Sequence, residues 1–310
     1  MKSWPQTTVV GPGGVGAYFG GMLARAGAPV TMLGRPGPPS EHLKRLDAQG
    51  LHMQTTSFEE NVPVTTSNDA SSIADSELVL FCVKTVDTES AAAQIAPHLA
   101  SGAIVVDMQN GVDNPDKLRS AGIDPITSVV YVAAALNGPG KVIHRGRGDL
   151  VVGHKERADD VERLRAWFEA AQVPCKVSPT VETELWVKLI INSVANASSA
   201  LTDATYGVIV DDAPTWAVAE DAAREAVAVA RAEGHDLDEQ QTLDTLLAVC
   251  RSVGAATSST QQDLVAGRPT EIDSLTGYIA RRGEELGVPT PINRAMWHLT
   301  RLRSDTIRRR

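Results

Sequence analysis

The chain has 310 residues, 43% of them hydrophobic and 22% charged, with a formal net charge of −9. That length suggests two domains with ample core, in a soluble globular protein, and the acidic balance argues against nucleic acid as the main partner. No apolar run approaches the roughly 18 residues a membrane-spanning helix needs, so no membrane association is expected.

The N-terminal residues show no charged and apolar leader pattern. Cys82, Cys175 and Cys250 are an odd set without metal-ligand spacing. A reducing, cytoplasmic setting is therefore expected. Arg308-Arg309-Arg310 reads as a solvated basic tail.

Thr7-Thr8-Val9-Val10 is a β-branched run that leads into Gly11-Pro12-Gly13-Gly14-Val15-Gly16. A small-residue helix through Arg25 and a second strand, Val30-Thr31-Met32-Leu33, follow. Strand, glycine loop, helix and strand form the first unit of a dinucleotide-binding fold. Gly11 makes the tight turn, Gly13 lets the backbone approach a pyrophosphate, and Gly16 lets the helix pack closely on the strand. The N–H groups at the helix start then face the phosphates. After the second strand comes Gly34-Arg35 and no acid. An acid there would bond the adenosine ribose and repel a 2′-phosphate. Arg35 is instead placed to pair with that phosphate, which predicts NADPH; a solvated loop arginine is the alternative.

Residues 51–55 and 61–65 read as short strands. Residues 78–83 form a continuous apolar run, the pattern of a parallel strand covered on both faces, and end at Lys84-Thr85. Ala103-Ile104-Val105-Val106 is the next such run and ends at Gln109-Asn110-Gly111. Ligands of open α/β sheets bind at the carboxyl ends of the strands, so Lys84 and Asn110 are placed to reach a cofactor; an ordinary strand-end residue is the alternative for either. A strand at 126–132 follows. Residues 142–153, with Gly146-Arg147-Gly148 as the turn, predict a hairpin that adds antiparallel strands to the sheet. A helix at 157–171, a strand at 173–177 and a boundary at Ser178-Pro179-Thr180 complete the first domain, 1–179. The second domain, 180–310, shows no strand pattern. Helical patterns run through 183–200, 214–233, 239–252, 271–286 and 291–304, so it is expected to be all-helical.

Within 183–200, Trp186, Leu189, Ile190, Val194, Ala197 and Leu201 fall on one helical arc. Lys188, Asn192 and Asn196, at i, i+4 and i+8, form a polar row beside it. One cation and two amides, each a turn apart, suit a small polar ligand; a solvated face is the other reading. Thr270 with Asp273 resembles a capping box, which puts Glu271 in the first turn of the next helix. The seven histidines show no ligand spacing and no nucleophile elbow is present, so no metal site is indicated.

These segments resemble the ketopantoate reductase (2-dehydropantoate 2-reductase) family over nearly the whole chain. The resemblance rests on Gly11-x-Gly13-x-x-Gly16, Val83-Lys84-Thr85, Gln109-Asn110-Gly111 and Trp186-x-Lys188-x-x-x-Asn192-x-x-x-Asn196. It also rests on Ser258-Ser259 ahead of Gly267-Arg268-x-Thr270-Glu271-Ile272-Asp273. It implies a Rossmann-type domain followed by a helical domain, and NADPH-dependent reduction of ketopantoate to pantoate in pantothenate biosynthesis. It makes Lys188 the catalytic lysine and Glu271 the substrate-binding glutamate. Asn192, Asn196 and Ser259 become substrate contacts, Lys84 and Asn110 cofactor contacts, and Arg35 the 2′-phosphate contact. Family members often carry Asn where this chain has Ala256. A different 2-oxo acid or imine as substrate, a non-catalytic NADP(H)-binding role and a homodimer stay open.

Overall fold

The computed structural model describes residues 4–309, so Arg310 of the basic tail lies outside them. The chain divides into two compact units, Met1–Glu182 and Thr183–Arg310.

The first unit contains β1 (Thr7–Val10), α1 (Gly14–Arg25), β2 (Val30–Leu33), α2 (Glu41–Gln49), β3 (Leu51–Gln54), β4 (Glu59–Val62) and β5 (Thr65–Ser67). It continues with β6 (Leu78–Phe81), α3 (Thr88–Ile95), β7 (Ile104–Asp107), α4 (Asn114–Ser120), β8 (Ile126–Leu136), β9 (Lys141–Gly153), α5 (Ala158–Ala170) and β10 (Cys175–Val177). The strands make one sheet in the order β4-β3-β9-β8-β7-β6-β1-β2-β5, with β10 paired to β9. From β8 to β5 the pairings are parallel. Side chains alternate between the two faces. Val9, Leu80 and Val106 pack with Phe19 and Leu23 of α1, while Val10, Val79, Phe81 and Val105 pack with Ala92 of α3 and Leu118 of α4. Both faces are covered, which is why β6 is apolar throughout and β7 is apolar up to its terminal Asp107.

The antiparallel addition is present, but the hairpin lies elsewhere than expected. β9 runs unbroken from Lys141 to Gly153 and pairs antiparallel with β8. The reversal falls at Asn137-Gly138-Pro139-Gly140, where Asn137 N donates to Lys141 O at 3.0 Å. Gly138 (φ 87°) and Gly140 (φ 73°) supply the left-handed backbone such a turn needs. Gly146-Arg147-Gly148 sits mid-strand, at a bulge where pairing skips from Val132–Gly148 to Ala134–His144. Gly148 is small because the Tyr18 hydroxyl and the His144 ring fill the place of a Cβ. One edge of β9 is taken by β8; the other is shared, Lys141, Val142 and Ile143 pairing with β3 and Leu150, Val151 and Val152 with β10.

The second unit is helical throughout its described residues. Its helices are α6 (Val181–Thr202, which begins just before the division), α7 (Tyr206–Asp211), α8 (Ala213–Ala232), α9 (Glu239–Ser252), α10 (Ser259–Val265), α11 (Thr276–Leu286) and α12 (Pro291–Arg308). Asp212 and Asp238 cap α8 and α9 by accepting from Thr215 N at 3.0 Å and Gln241 N at 2.7 Å. The capping box expected at Thr270 does not form. Ile272–Ser274 is a single 3₁₀ turn and α11 begins only at Thr276. Asp273 accepts from Trp297 Nε1 at 2.6 Å, and Arg281 Nη2 donates to its carbonyl at 2.9 Å. Partners on α11 and α12 thus displace the local cap.

Candidate active site

In the first unit the chain leaves β1 at Gly11. Its φ is 84°, and a Cβ there would stand 2.8 Å from Val83 Cγ1, so only glycine fits. Gly11 N bonds Leu33 O at 3.0 Å and Gly13 N bonds Gly11 O at 2.8 Å, which folds the loop over the strand ends. Gly13 is the N-cap of α1; no side chain caps this helix and no acid lies in its first turn. The N-terminal amides of α1 and the positive end of its dipole suit an anion. A Cβ on Gly14 would lie 2.7 Å from Ala134 O, and one on Gly16 2.7 Å from both Gly11 O and Val9 Cγ1. One on Gly13 would meet nothing within 4 Å. Gly14 and Gly16 are therefore small because protein fills their surroundings, whereas the space at Gly13 is open. Open space beside uncapped amides fits a dinucleotide pyrophosphate. Val15, between them, lies half-buried in the first turn of α1.

Lys84 is exposed beyond the end of β6, and Asn110 is half-buried beyond the end of β7. A buried network joins these two loops. Gln109 Nε2 donates to Val83 O at 2.9 Å and to Thr88 Oγ1 at 2.7 Å. Asn110 O accepts from Asn114 Nδ2 at 2.7 Å and from Thr85 Oγ1 at 3.2 Å. Thr88 and Asn114 are fully buried. The sequence reading singled out neither; the one local signal was Asn114-Pro115 at a helix start. Arg35 follows β2 with its side chain 84% exposed, and its Nη2 donates to Asp87 Oδ2 at 2.7 Å. Asp87, which ends the short 3₁₀ turn Thr85–Asp87, is a second residue the sequence reading did not mark.

In the second unit, Trp186, Leu189, Ile190, Val194 and Ala197 of α6 are buried, while Leu201 is half-buried. Lys188 and Asn192 are half-buried along the neighbouring row, and Asn196, one turn on, is buried. Tyr206 Oη donates to Asn196 Oδ1 at 3.2 Å. Burial pushes the Tyr206 hydroxyl well above the usual phenol range, so it stays protonated. Ser258 Oγ donates to Asn196 O at 3.2 Å and Ser258 N donates to Ser199 Oγ at 3.1 Å. Ser258 also caps α10 by accepting from Gln261 N at 3.0 Å. The buried serine thereby ties the start of α10 to α6 and leaves its neighbour Ser259 exposed beside that junction.

Ala256 is exposed, and its carbonyl accepts from Tyr206 N at 3.0 Å. Glu271 is half-buried ahead of the 3₁₀ turn, whose Ser274 N donates to its carbonyl at 2.9 Å. Tyr206, Ser199 and Ser258 were missed as supports because their roles depend on pairings between distant segments.

A family model described as ketopantoate reductase PanE/ApbA matches residues 7–157, and one for the C-terminal part of the same family matches residues 180–304. A 2-dehydropantoate 2-reductase of Halobacterium salinarum is 32% identical over 302 residues, covering 96% of this chain and 98% of that protein. The crystal structure of a PanE/ApbA family ketopantoate reductase from Ralstonia eutropha JMP134 is 43% identical, with a TM-score of 0.90 over 97% of this chain and 99% of that one. A D-mandelate dehydrogenase solved with NADH and anilino(oxo)acetate shares the fold, with a TM-score of 0.90 at 20% identity over 97% of this chain and 99% of that one. Among the described residues no helix is long and apolar enough to cross a membrane. The glycine loop, the strand-end loops and the polar row of α6 all fall within the two matched spans, and the chain belongs to the ketopantoate reductase family of nicotinamide-dependent oxidoreductases.

Proposed function

We propose that the protein reduces 2-dehydropantoate to pantoate with NADPH, the reductive step of pantothenate biosynthesis. The observation that carries this reading is the half-buried Lys188–Asn192–Asn196 row, held at its inner end by Tyr206 and Ser258. A purely solvated face would not be buried at Asn196 or braced by two other segments. The nicotinamide, when bound, supplies the hydride. Lys188 hydrogen-bonds the substrate carbonyl oxygen, stabilises the charge that develops there and delivers the proton. Asn192, Asn196 and Ser259 hold the carboxylate and neighbouring polar groups, and Glu271 accepts a hydrogen bond from the substrate hydroxyl. In the first unit, Gly11, Gly13, Gly14, Val15 and Gly16 form the pyrophosphate cradle. Lys84 and Asn110 contact the cofactor, and Arg35 reads the 2′-phosphate. The cytoplasm is the compartment this chemistry and the cysteine content suit.

Ala256 favours a second reading, reduction of a different 2-oxo acid, because its methyl group offers no amide to the ligand. One assay separates the two: loss of nicotinamide absorbance with NADPH and a panel of 2-oxo acids. Ketopantoate is expected to exceed 2-oxoisovalerate, which lacks the hydroxymethyl group, by roughly 10²-fold in kcat/KM. The reason is that the analogue leaves the Glu271 carboxylate unpaired. Glu271→Ala narrows that gap. Equal rates with both keto acids remove the role given to Glu271, and activity with neither assigns the chain to another substrate.

A further inference from the structure

We propose that Asp87 sets the cofactor preference by acting as the counter-ion of Arg35, lowering affinity for the 2′-phosphate and narrowing the discrimination between NADP(H) and NAD(H). This rests on the reading of Arg35 as the 2′-phosphate reader. An acid at the end of β2 is the usual device for favouring a free ribose, and this chain has none there. The fold supplies one from another strand connection. β6 and β2 flank β1 in the sheet. Asp87, six residues beyond the end of β6, reaches Arg35, two residues beyond the end of β2, with Oδ2 2.7 Å from Nη2.

The pair is built for exchange. It consists of a single contact rather than a fork, and the Arg35 side chain is 84% exposed against 32% for Asp87. The Asp87 carboxylate does not cap α3, although the residue occupies the N-cap position. A 2′-phosphate seeking the guanidinium must share it with, or take it from, a carboxylate of its own sign. A free 2′-hydroxyl meets the opposite situation: it is a donor, and the carboxylate is an acceptor. One side chain thus works against the phosphorylated cofactor and not against the other.

The test is equilibrium binding of NADP⁺, NAD⁺, 2′,5′-ADP and 5′-AMP by calorimetry to the wild type, Asp87→Asn and Arg35→Ala. Asparagine keeps the shape and the N-cap preference while removing the charge. Asp87→Asn is expected to tighten NADP⁺ and 2′,5′-ADP by about 3- to 10-fold, the scale of an exposed ion pair plus screened repulsion. NAD⁺ and 5′-AMP should hold steady or weaken. Arg35→Ala should weaken NADP⁺ by about tenfold or more. If Arg35→Ala weakens NADP⁺ while Asp87→Asn leaves the NADP⁺/NAD⁺ affinity ratio unchanged or lowers it, the counter-ion role is overturned and the reading of Arg35 stands. If Arg35→Ala leaves NADP⁺ binding intact, that reading falls and the inference falls with it.

Discussion

The Tyr206 hydroxyl lies 3.2 Å from Oδ1 of Asn196 and donates to it, fixing which way the carboxamide faces. With its oxygen engaged by Tyr206, the amide presents its NH₂ as the group left to donate to an anionic ligand. Tyr206→Phe frees that orientation without emptying the space. It is expected to raise KM for the keto acid several-fold, to change kcat less, and to cost about 1 kcal/mol of stability. Steady-state kinetics and thermal melts read both effects. An unchanged KM would mean that Asn196 is only a buried structural amide.

The glycine loop separates folding from binding at single positions. Gly13→Ala adds a methyl group to open space, so the melting temperature should stay near wild type while NADP⁺ affinity falls on the order of tenfold or more. Gly16→Ala drives a methyl group against Gly11 O and Val9 Cγ1, both 2.7 Å away, and should destabilise the fold by about 1–3 kcal/mol. Calorimetric binding beside thermal denaturation checks the pair; equal damage from both substitutions would contradict the phosphate role of Gly13.

Lys188→Ala is expected to lower kcat by roughly 10²-fold or more, the scale of losing a general acid or an oxyanion donor. NADP⁺ affinity should change little, because the glycine loop lies in the first unit and Lys188 in the second. Single-turnover hydride transfer measures the first effect and titration the second. Near-normal turnover would reduce the α6 row to a surface stripe.

Stability is expected to decline at alkaline pH through buried thiols. Burial pushes the Cys250 thiol up to about 11 and the Cys175 thiol up to about 12. In the unfolded chain these groups titrate near 8.5. The folded state therefore holds their protons more tightly. The contribution is fully present below about pH 8.5 and is lost as pH rises through 11 and 12. Melting temperatures between pH 8 and 11 should fall less steeply for Cys250→Ala than for the wild type; parallel slopes would refute the assignment.

The β1–α1–β2 unit was legible because its steric demands are local: a tight turn at Gly11, close packing at Gly16 and β-branched residues on either side. Strand β6 and the Ile104-Val105-Val106 run of β7 were legible for a similar reason, since both faces are buried and no alternation survives. The turn of the β8–β9 hairpin was misplaced because two glycine-containing stretches lie 8 residues apart at Gly138 and Gly146, and only packing against Tyr18 and Ala133 distinguishes turn from bulge. In the candidate site, the α6 row was readable from helical spacing. Asp87, Thr88, Asn114, Tyr206 and Ser258 were not, because each acts on a partner that only tertiary structure brings near.

β9 has a consequence for how the chain can be divided. It closes β8 along one edge and β3 and β10 along the other. Without β9, β8 would be paired only through Ile126 and Thr127 to β7, and the β3–β4 hairpin would detach from the sheet. A fragment ending at the Asn137–Gly140 turn would expose long runs of unpaired amides and carbonyls on Val-rich strands, which invite pairing with other copies. Such a truncation is expected to self-associate on size exclusion, whereas one extending through β10 leaves no edge of β9 without its native neighbours. The first unit is therefore indivisible at the place where its sheet changes from parallel to antiparallel.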